Sequence, residues 1–250
     1  MKSLFFILLL SAQMCSAGFV AIENGEVLSV KGNISEQHPP CSTFKIALSL
    51  MGFDSGILHN AHAPVWEWQE VYREQLPGIL DRWMQPHDPE LWMINSCVWY
   101  SQVLTQKLGV EIFEDYLYRL DYGNGDASGD PGKGNGLTHC WLMSSLKISP
   151  VEQVEFLYRL TRGELPVSVN AHEVTKQILY RGRLKGEWEL YGKTGSGSVD
   201  DLSNGWFVGW VQNGKRTIIF AQHIFEKKVE GVYGSTIAIE RALENLEKLL

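Results

Sequence analysis

Residues 188–223 read WELYGKTGSGSVDDLSNGWFVGWVQNGKRTIIFAQH. Three runs in this stretch, Trp188 to Thr194, Trp206 to Gln212 and Arg216 to His223, are rich in the aromatic and β-branched residues that suit a pleated, half-buried strand. Asn213-Gly214 joins the last two as a hairpin, since both residues tolerate the positive φ of a two-residue turn. The opposite end of the chain has the same character: Phe19 to Val30 (FVAIENGEVLSV) is two β-prone runs around Asn24-Gly25. Helices occupy the middle, at Trp92 to Leu108, at Val110 to Leu120, and from Ser149-Pro150-Val151-Glu152 onward. That last segment has a capping serine, proline at the first helical position and glutamate where a capping box wants it. Ser235 to Leu250 reads as an amphipathic closing helix. Strands at both ends with helices between them predict an α+β fold, one antiparallel sheet assembled from both termini with a helical lobe inserted.

The chain has 250 residues, 44% hydrophobic, 11% aromatic and 20% charged, enough apolar content for one core and too much for a disordered chain. Lys and Arg number 22 against 29 Asp and Glu, a net charge of −7, and no basic run exceeds two residues, so nucleic-acid binding is excluded. Lys2, the apolar run Leu4 to Leu10 and the small residues Ser16-Ala17 predict a secretory signal over residues 1–17, cleaved after Ala17. The apolar run is far short of the roughly 20 residues of a spanning helix, so no membrane anchor is expected after cleavage. The expectation is an exported, periplasmic single domain over residues 18–250.

Once Cys15 leaves with the signal, Cys41, Cys97 and Cys140 remain, so at least one thiol has no partner within the monomer. They are read as small buried apolar residues. Neither the cysteines nor the seven histidines follow a metal-ligand spacing, His59 and His62 belong to a loop, and no protein-bound metal is expected. The glycine-rich run 123–136 is not a phosphate loop, because Lys133 is followed by Gly134. It reads as a connection. Gly186 to Thr194 also fails, with five residues between its glycines where a Walker loop has four.

Ser42-Thr43-Phe44-Lys45 follows Pro39-Pro40-Cys41 and opens the apolar run Ile46 to Met51, so Ser42 is expected at the start of a buried helix. A helix start leaves backbone N–H groups free and favours negative charge, which suits an oxyanion. Lys45, three residues on, lies on the face of Ser42, where its amine can activate the weak hydroxyl nucleophile. An apolar setting penalises the ammonium and favours the free amine. Downstream come Ser96-Cys97-Val98, within a helical stretch, and Lys193-Thr194-Gly195 with Ser196, where a lysine, a hydroxyl and bare backbone meet at a strand end.

The order S-x-x-K, S-x-V, K-T-G, together with Tyr122-Gly123-Asn124, Trp141-Leu142 and Leu146-Lys147-Ile148-Ser149-Pro150, resembles the class D β-lactamases over nearly the whole mature chain. Val98 stands where class A enzymes and most penicillin-binding proteins carry asparagine. The resemblance implies the serine β-lactamase fold, resistance to β-lactams, and roles for matching positions. Ser42 attacks the β-lactam carbonyl, and its N–H forms the oxyanion hole with that of Ser196, at about 3 kcal/mol per donor. Lys45 carries a carbamate formed from CO2, with no other cofactor. Val98 and Trp141 wall that group, and the Trp141 indole donates to it. Ser96 passes a proton to the leaving nitrogen, while Lys193 and Thr194, beside Gly195, meet the substrate carboxylate. Trp83 resembles an aromatic bordering the cleft, with core packing as the alternative.

Two departures stand out. Residues 231–235 (GVYGS) lack the arginine that many members place before the last helix, so the carboxylate falls to Lys193, Thr194 and Ser235. The N-terminal helix usual before the first strand is also missing. A penicillin-sensing receptor domain and a cell-wall transpeptidase share these motifs, and turnover separates them from a hydrolase. No partner beyond a small β-lactam is implied.

Overall fold

The computed structural model describes residues 16–250 apart from Pro77, Ile79 and Lys215. Most of the predicted signal and Cys15 therefore lie outside the described residues. Strands β1 (Ser16–Glu23), β2 (Glu26–Gly32), β3 (Tyr180–Arg183), β4 (Glu189–Val199), β5 (Leu202–Asn213) and β6 (Arg216–Lys227) form one sheet in the order β2-β1-β6-β5-β4-β3. Every neighbouring pair is antiparallel. Pairing of β1 with β6 closes the sheet from both chain ends, as the sequence predicts. Asn24 and Gly25 both have positive φ, the requirement of the β1–β2 turn.

The helices are α1 (Lys45–Asp54), α2 (Val71–Gln75), α3 (Pro89–Asn95), α4 (Val98–Leu108), α5 (Val110–Leu120), α6 (Gly136–His139), α7 (Pro150–Arg162), α8 (Val169–Ile178) and α9 (Gly234–Leu246). α7 begins with the expected capping box: Ser149 Oγ accepts from Glu152 N, and the Glu152 carboxylate accepts from Ser149 N. None of the described helices is long and apolar enough to cross a membrane.

Alternation along the central strands divides the core in two. Trp206, Val208 and Trp210 of β5, Ile219 and Ala221 of β6 and Val20 of β1 face the helical lobe. Phe207, Val211, Ile218, Phe220 and Phe19 face the opposite side, against Ala238, Ala242 and Leu246 of α9. β5 is thus covered on both faces along most of its length.

Three expectations are corrected. Trp92 to Leu108 is not one helix: Ser96 adopts φ 56°, ψ 34°, ending α3, and α4 begins at Val98. Apolar periodicity runs through the break and conceals it. Strands β4 and β5 extend through the Gly/Ser-rich stretch to Val199 and back from Leu202, because ladder hydrogen bonds to neighbours compensate for weak intrinsic strand preference. At Gly205 a Cβ would lie 2.2 Å from the Gly234 carbonyl oxygen, so glycine here lets α9 start directly on the sheet. Finally, β1 begins at Ser16, not Phe19: Ser16 pairs with Phe225 and Ala17 with Ile224.

Candidate active site

The nucleophile turn is held before the helix begins. Residues Cys41–Phe44 form a 3-10 turn that runs into α1, so Ser42 sits half-buried at its first bend. Pro39 O accepts from Asn204 Nδ2 at 2.9 Å and Trp206 Nε1 at 3.0 Å, which pins the preceding proline pair to β5. Cys41 N donates to Trp141 O at 3.0 Å, and Thr43 Oγ1 donates to Pro40 O at 2.8 Å. On the β4 side, a Cβ at Gly195 would meet Pro40 O at 2.6 Å. Glycine at this point of K-T-G allows the strand to pass against the turn.

Lys45, the first residue of α1, is completely buried, and its Nζ donates to Ser42 Oγ at 3.2 Å. Burial lowers its pKa from 10.5 to about 8, outweighing the smaller opposite effect of the neighbouring Cys97 and Cys41 thiols. Phe44, Ile46 and Leu48 are equally enclosed, which is the dry setting expected around this amine.

Ser96 gains its orientation from the left-handed bend between α3 and α4. Its Oγ accepts from Lys193 Nζ at 2.9 Å. Lys193 also donates to Thr194 O at 3.0 Å and lies 3.4 Å from Thr194 Oγ1. Burial, and then the charges of Lys45, Arg181 and Arg82, hold the Lys193 pKa well below the usual lysine range. The residue before Ser96 is held too: Asn95 O accepts from Trp83 Nε1 at 2.9 Å and Arg82 Nε at 3.2 Å. Trp83 is buried, so packing and this hydrogen bond define its place.

Val98, at the start of α4, and Trp141 are both buried. Trp141 packs on Phe44 with ring centroids 5.5 Å apart, and its Nε1 has no hydrogen-bond partner among the described residues. An unanswered buried donor costs about 1–3 kcal/mol. The loop carrying Trp141 is tied down from the glycine-rich connection, where Asn124 Oδ1 accepts from Lys147 N and Asn124 Nδ2 donates to Ser145 O, both at 2.9 Å. Tyr122 packs against Phe44 beneath the nucleophile turn.

Ser196 is exposed at the far side, and its Oγ accepts from Ser235 N at 3.0 Å. That hydroxyl therefore serves the first turn of α9. Beside it opens a cavity of about 510 Å³ between Ser196–Ser198 and residues 228–234, with Lys228 as its one basic lining residue. The described residues thus place Ser42 with Lys45, Ser96 with Lys193 and Thr194, and Gly195 against the nucleophile turn. Arg82, Asn204 and Trp206 hold these groups and carry no motif that would have marked them in the sequence.

Residues 16–246 match the family described as penicillin binding protein transpeptidase domain. Beta-lactamase OXA-9 of Klebsiella pneumoniae is 40% identical over 234 residues, covering 90% of this chain and 84% of the relative. Beta-lactamase OXA-1 of Escherichia coli is 42% identical over 200 residues, covering 79% and 70%. The crystal structure of the OXA-427 class D β-lactamase superposes with a TM-score of 0.84 at 40% identity, over 94% of this chain and 100% of that one. With its paired serines and lysines in a transpeptidase-type sheet, the chain belongs to the class D serine β-lactamases.

Proposed function

We propose that this chain opens the amide of penicillin-type β-lactams through a Ser42 acyl-enzyme, with Lys45 carbamylated by CO2 as the general base. The observation that carries the reading is the 3.2 Å contact between Ser42 Oγ and a completely buried Lys45 amine. A pKa near 8 leaves a useful fraction of neutral amine at neutral pH, the form that adds CO2. The unpartnered Trp141 indole N–H suits the resulting anion, since it donates without adding charge. A carbamate on Lys45 supplies an anionic oxygen able to take the Ser42 proton.

The chain's own groups do the rest. Ser42 Oγ adds to the carbonyl carbon, and its backbone N–H, with that of Ser196, receives the developing oxyanion. As the C–N bond breaks, Ser96 hands its hydroxyl proton to the ring nitrogen. Lys193 and Thr194 take the substrate carboxylate, aided by the glycine backbone at 195. Water then releases the acyl group under the same base. Export, through a cleaved signal over residues 1–17, would place this activity in the periplasm and confer resistance there. Amino-terminal sequencing of secreted protein checks the cleavage point, because Ser16 and Ala17 occupy the first rungs of β1.

Steady-state hydrolysis of a small β-lactam panel tests the function, with intact-mass mapping after a penicillin pulse. Many turnovers per site and a transient adduct on the Ser42 peptide are expected. A stop near one equivalent would make the chain a receptor-type or transpeptidase-type acceptor. An adduct on Ser96 or Ser196 would overturn the assignment.

A further inference from the structure

We propose that Arg181 is a positioning residue for proton delivery: its guanidinium ties the strand of Lys193 to the helix that ends at Ser96 and keeps a positive charge behind that pair. The inference rests on Ser96 as the group that protonates the leaving nitrogen. Tyr180 pairs with Tyr191 and Gly182 with Leu190, so Arg181 is the extra residue of a β-bulge in β3. A bulge re-aims a side chain that a regular ladder would point elsewhere. Arg181 Nε donates to Gly192 O at 2.9 Å, and Nη2 donates to Met93 O at 3.4 Å.

These two carbonyls belong to the two halves of the pair. Gly192 immediately precedes Lys193. Met93 lies in the last turn of α3, three residues before Ser96, where carbonyls lack intrahelical donors. One planar guanidinium, with donors in a rigid fork, thereby ties the strand of Lys193 to a helix end 88 residues from Arg181 in sequence. The Ser96–Lys193 contact of 2.9 Å spans the same two elements.

Arg181 also acts through charge, since a guanidinium keeps its proton throughout the working pH range. The charged groups facing Lys193 are Lys45 from α1, Arg181 from β3 and Arg82 from the 3-10 turn Asp81–Trp83. After burial, the positive charges of Arg181 and Arg82 make the Lys193 ammonium a stronger acid, as does Lys45 only while it carries no carbamate. During acylation the Ser96 O–H proton moves to the β-lactam nitrogen as the C–N bond breaks, and a Lys193 N–H proton moves along the hydrogen bond to Ser96 Oγ. Lys193 is left as a neutral amine and recovers its proton from water. A more acidic Lys193 favours this transfer.

Two variants separate geometry from charge. Arg181→Lys keeps the charge but reaches at most one carbonyl, and its acylation rate per titrated active site is expected to fall about tenfold with the basic limb of the pH profile unmoved. Arg181→Gln removes the charge, so that limb should also move upward by about half a pH unit or more. Deacylation of a preformed adduct should stay within about twofold in both. A lower melting temperature with unchanged acylation per active site in Arg181→Lys overturns the proposal, even where Arg181→Gln does not fold. So does an unmoved limb in folded Arg181→Gln. Ser96→Ala is the control: if it acylates normally, the proton-delivery reading itself falls, whereas if only the Arg181 variants are silent, that reading survives without Arg181.

Discussion

The molecule builds two serine–lysine contacts by different means, each between a half-buried serine and an enclosed lysine. Ser42 and Lys45 are three residues apart, and a single turn of backbone brings Nζ within 3.2 Å of Oγ. Ser96 and Lys193 are 97 residues apart and meet at 2.9 Å because a helix end and a strand of the sheet converge. Both lysines are enclosed and both have lowered pKa values. The local pair is brought together by its own helix turn, which Asn204 and Trp206 brace through Pro39, while the distant pair needs Arg82, Trp83 and Arg181 to hold its two halves in register.

Removing each serine breaks the comparison most severely. Ser42→Ala should abolish the acyl adduct and lower kcat/KM by about 10⁴-fold or more, as expected of a nucleophile. Ser96→Ala should still acylate, about 10²–10³-fold more slowly, as expected of a proton-transfer group. Stopped-flow acylation with mass detection reads both. Equal losses would mean that the distant pair is as essential to the bond-forming step as the local one.

Trp141→Phe probes the local pair alone. Loss of one hydrogen bond to an anion corresponds to about 10–100-fold, expected in deacylation more than acylation and eased by added bicarbonate. Carbon-13 NMR with labelled bicarbonate should show a carbamate resonance that disappears in Lys45→Ala. A fully active enzyme without that resonance would leave neutral Lys45 as the base.

Stability sharpens the contrast between the lysines and the surrounding core. The folded-state pKa of Lys45, about 8, lies below its usual 10.5, so the unfolded chain holds a proton that the folded one releases across that window. Stability from this group therefore rises with pH between about 8 and 10.5, and the full cost of burying the ammonium is present below 8. In CO2-depleted buffer, where Lys45 carries no carbamate, Lys45→Met should be more stable than the parent at pH 7, by up to about 3 kcal/mol, with the gain shrinking toward pH 10. Chemical denaturation at both pH values measures it. An unchanged difference would show that packing, not charge, dominates at Lys45.

The smallest effect is expected at the thiols. Cys41, Cys97 and Cys140 are buried and unpaired, and burial pushes their pKa values up to about 11, 12 and 12. Little thiolate is present at neutral pH, so alkylating reagents should react slowly in the native state and leave turnover intact. Rapid modification with parallel loss of activity would place one of them at the edge of the cleft.

Much of this was readable from residue order. Alternation and turn dipeptides found the strands at both chain ends, and the capping box of α7 stands where Ser149 to Glu152 place it. The S-x-x-K spacing found Ser42 and Lys45 because the contact is local. Residues Ser196 to Gly205 were harder: their strand character comes from pairing with each other and from the close seat of α9, not from their own preference.

Local signals thus settle the strands near both chain ends, the helices α5, α7 and α9, and the nucleophile with its lysine, because each depends on backbone periodicity over a few residues. Tertiary structure alone decides the break at Ser96, the meeting of Ser96 with Lys193 and the pinning of Pro39 by Asn204 and Trp206. It also decides the unanswered indole of Trp141 and the reach of Arg181 between Gly192 and Met93. These depend on which side chains the packed sheet and lobe enclose together, and on hydrogen bonds between segments that no short-range pattern connects.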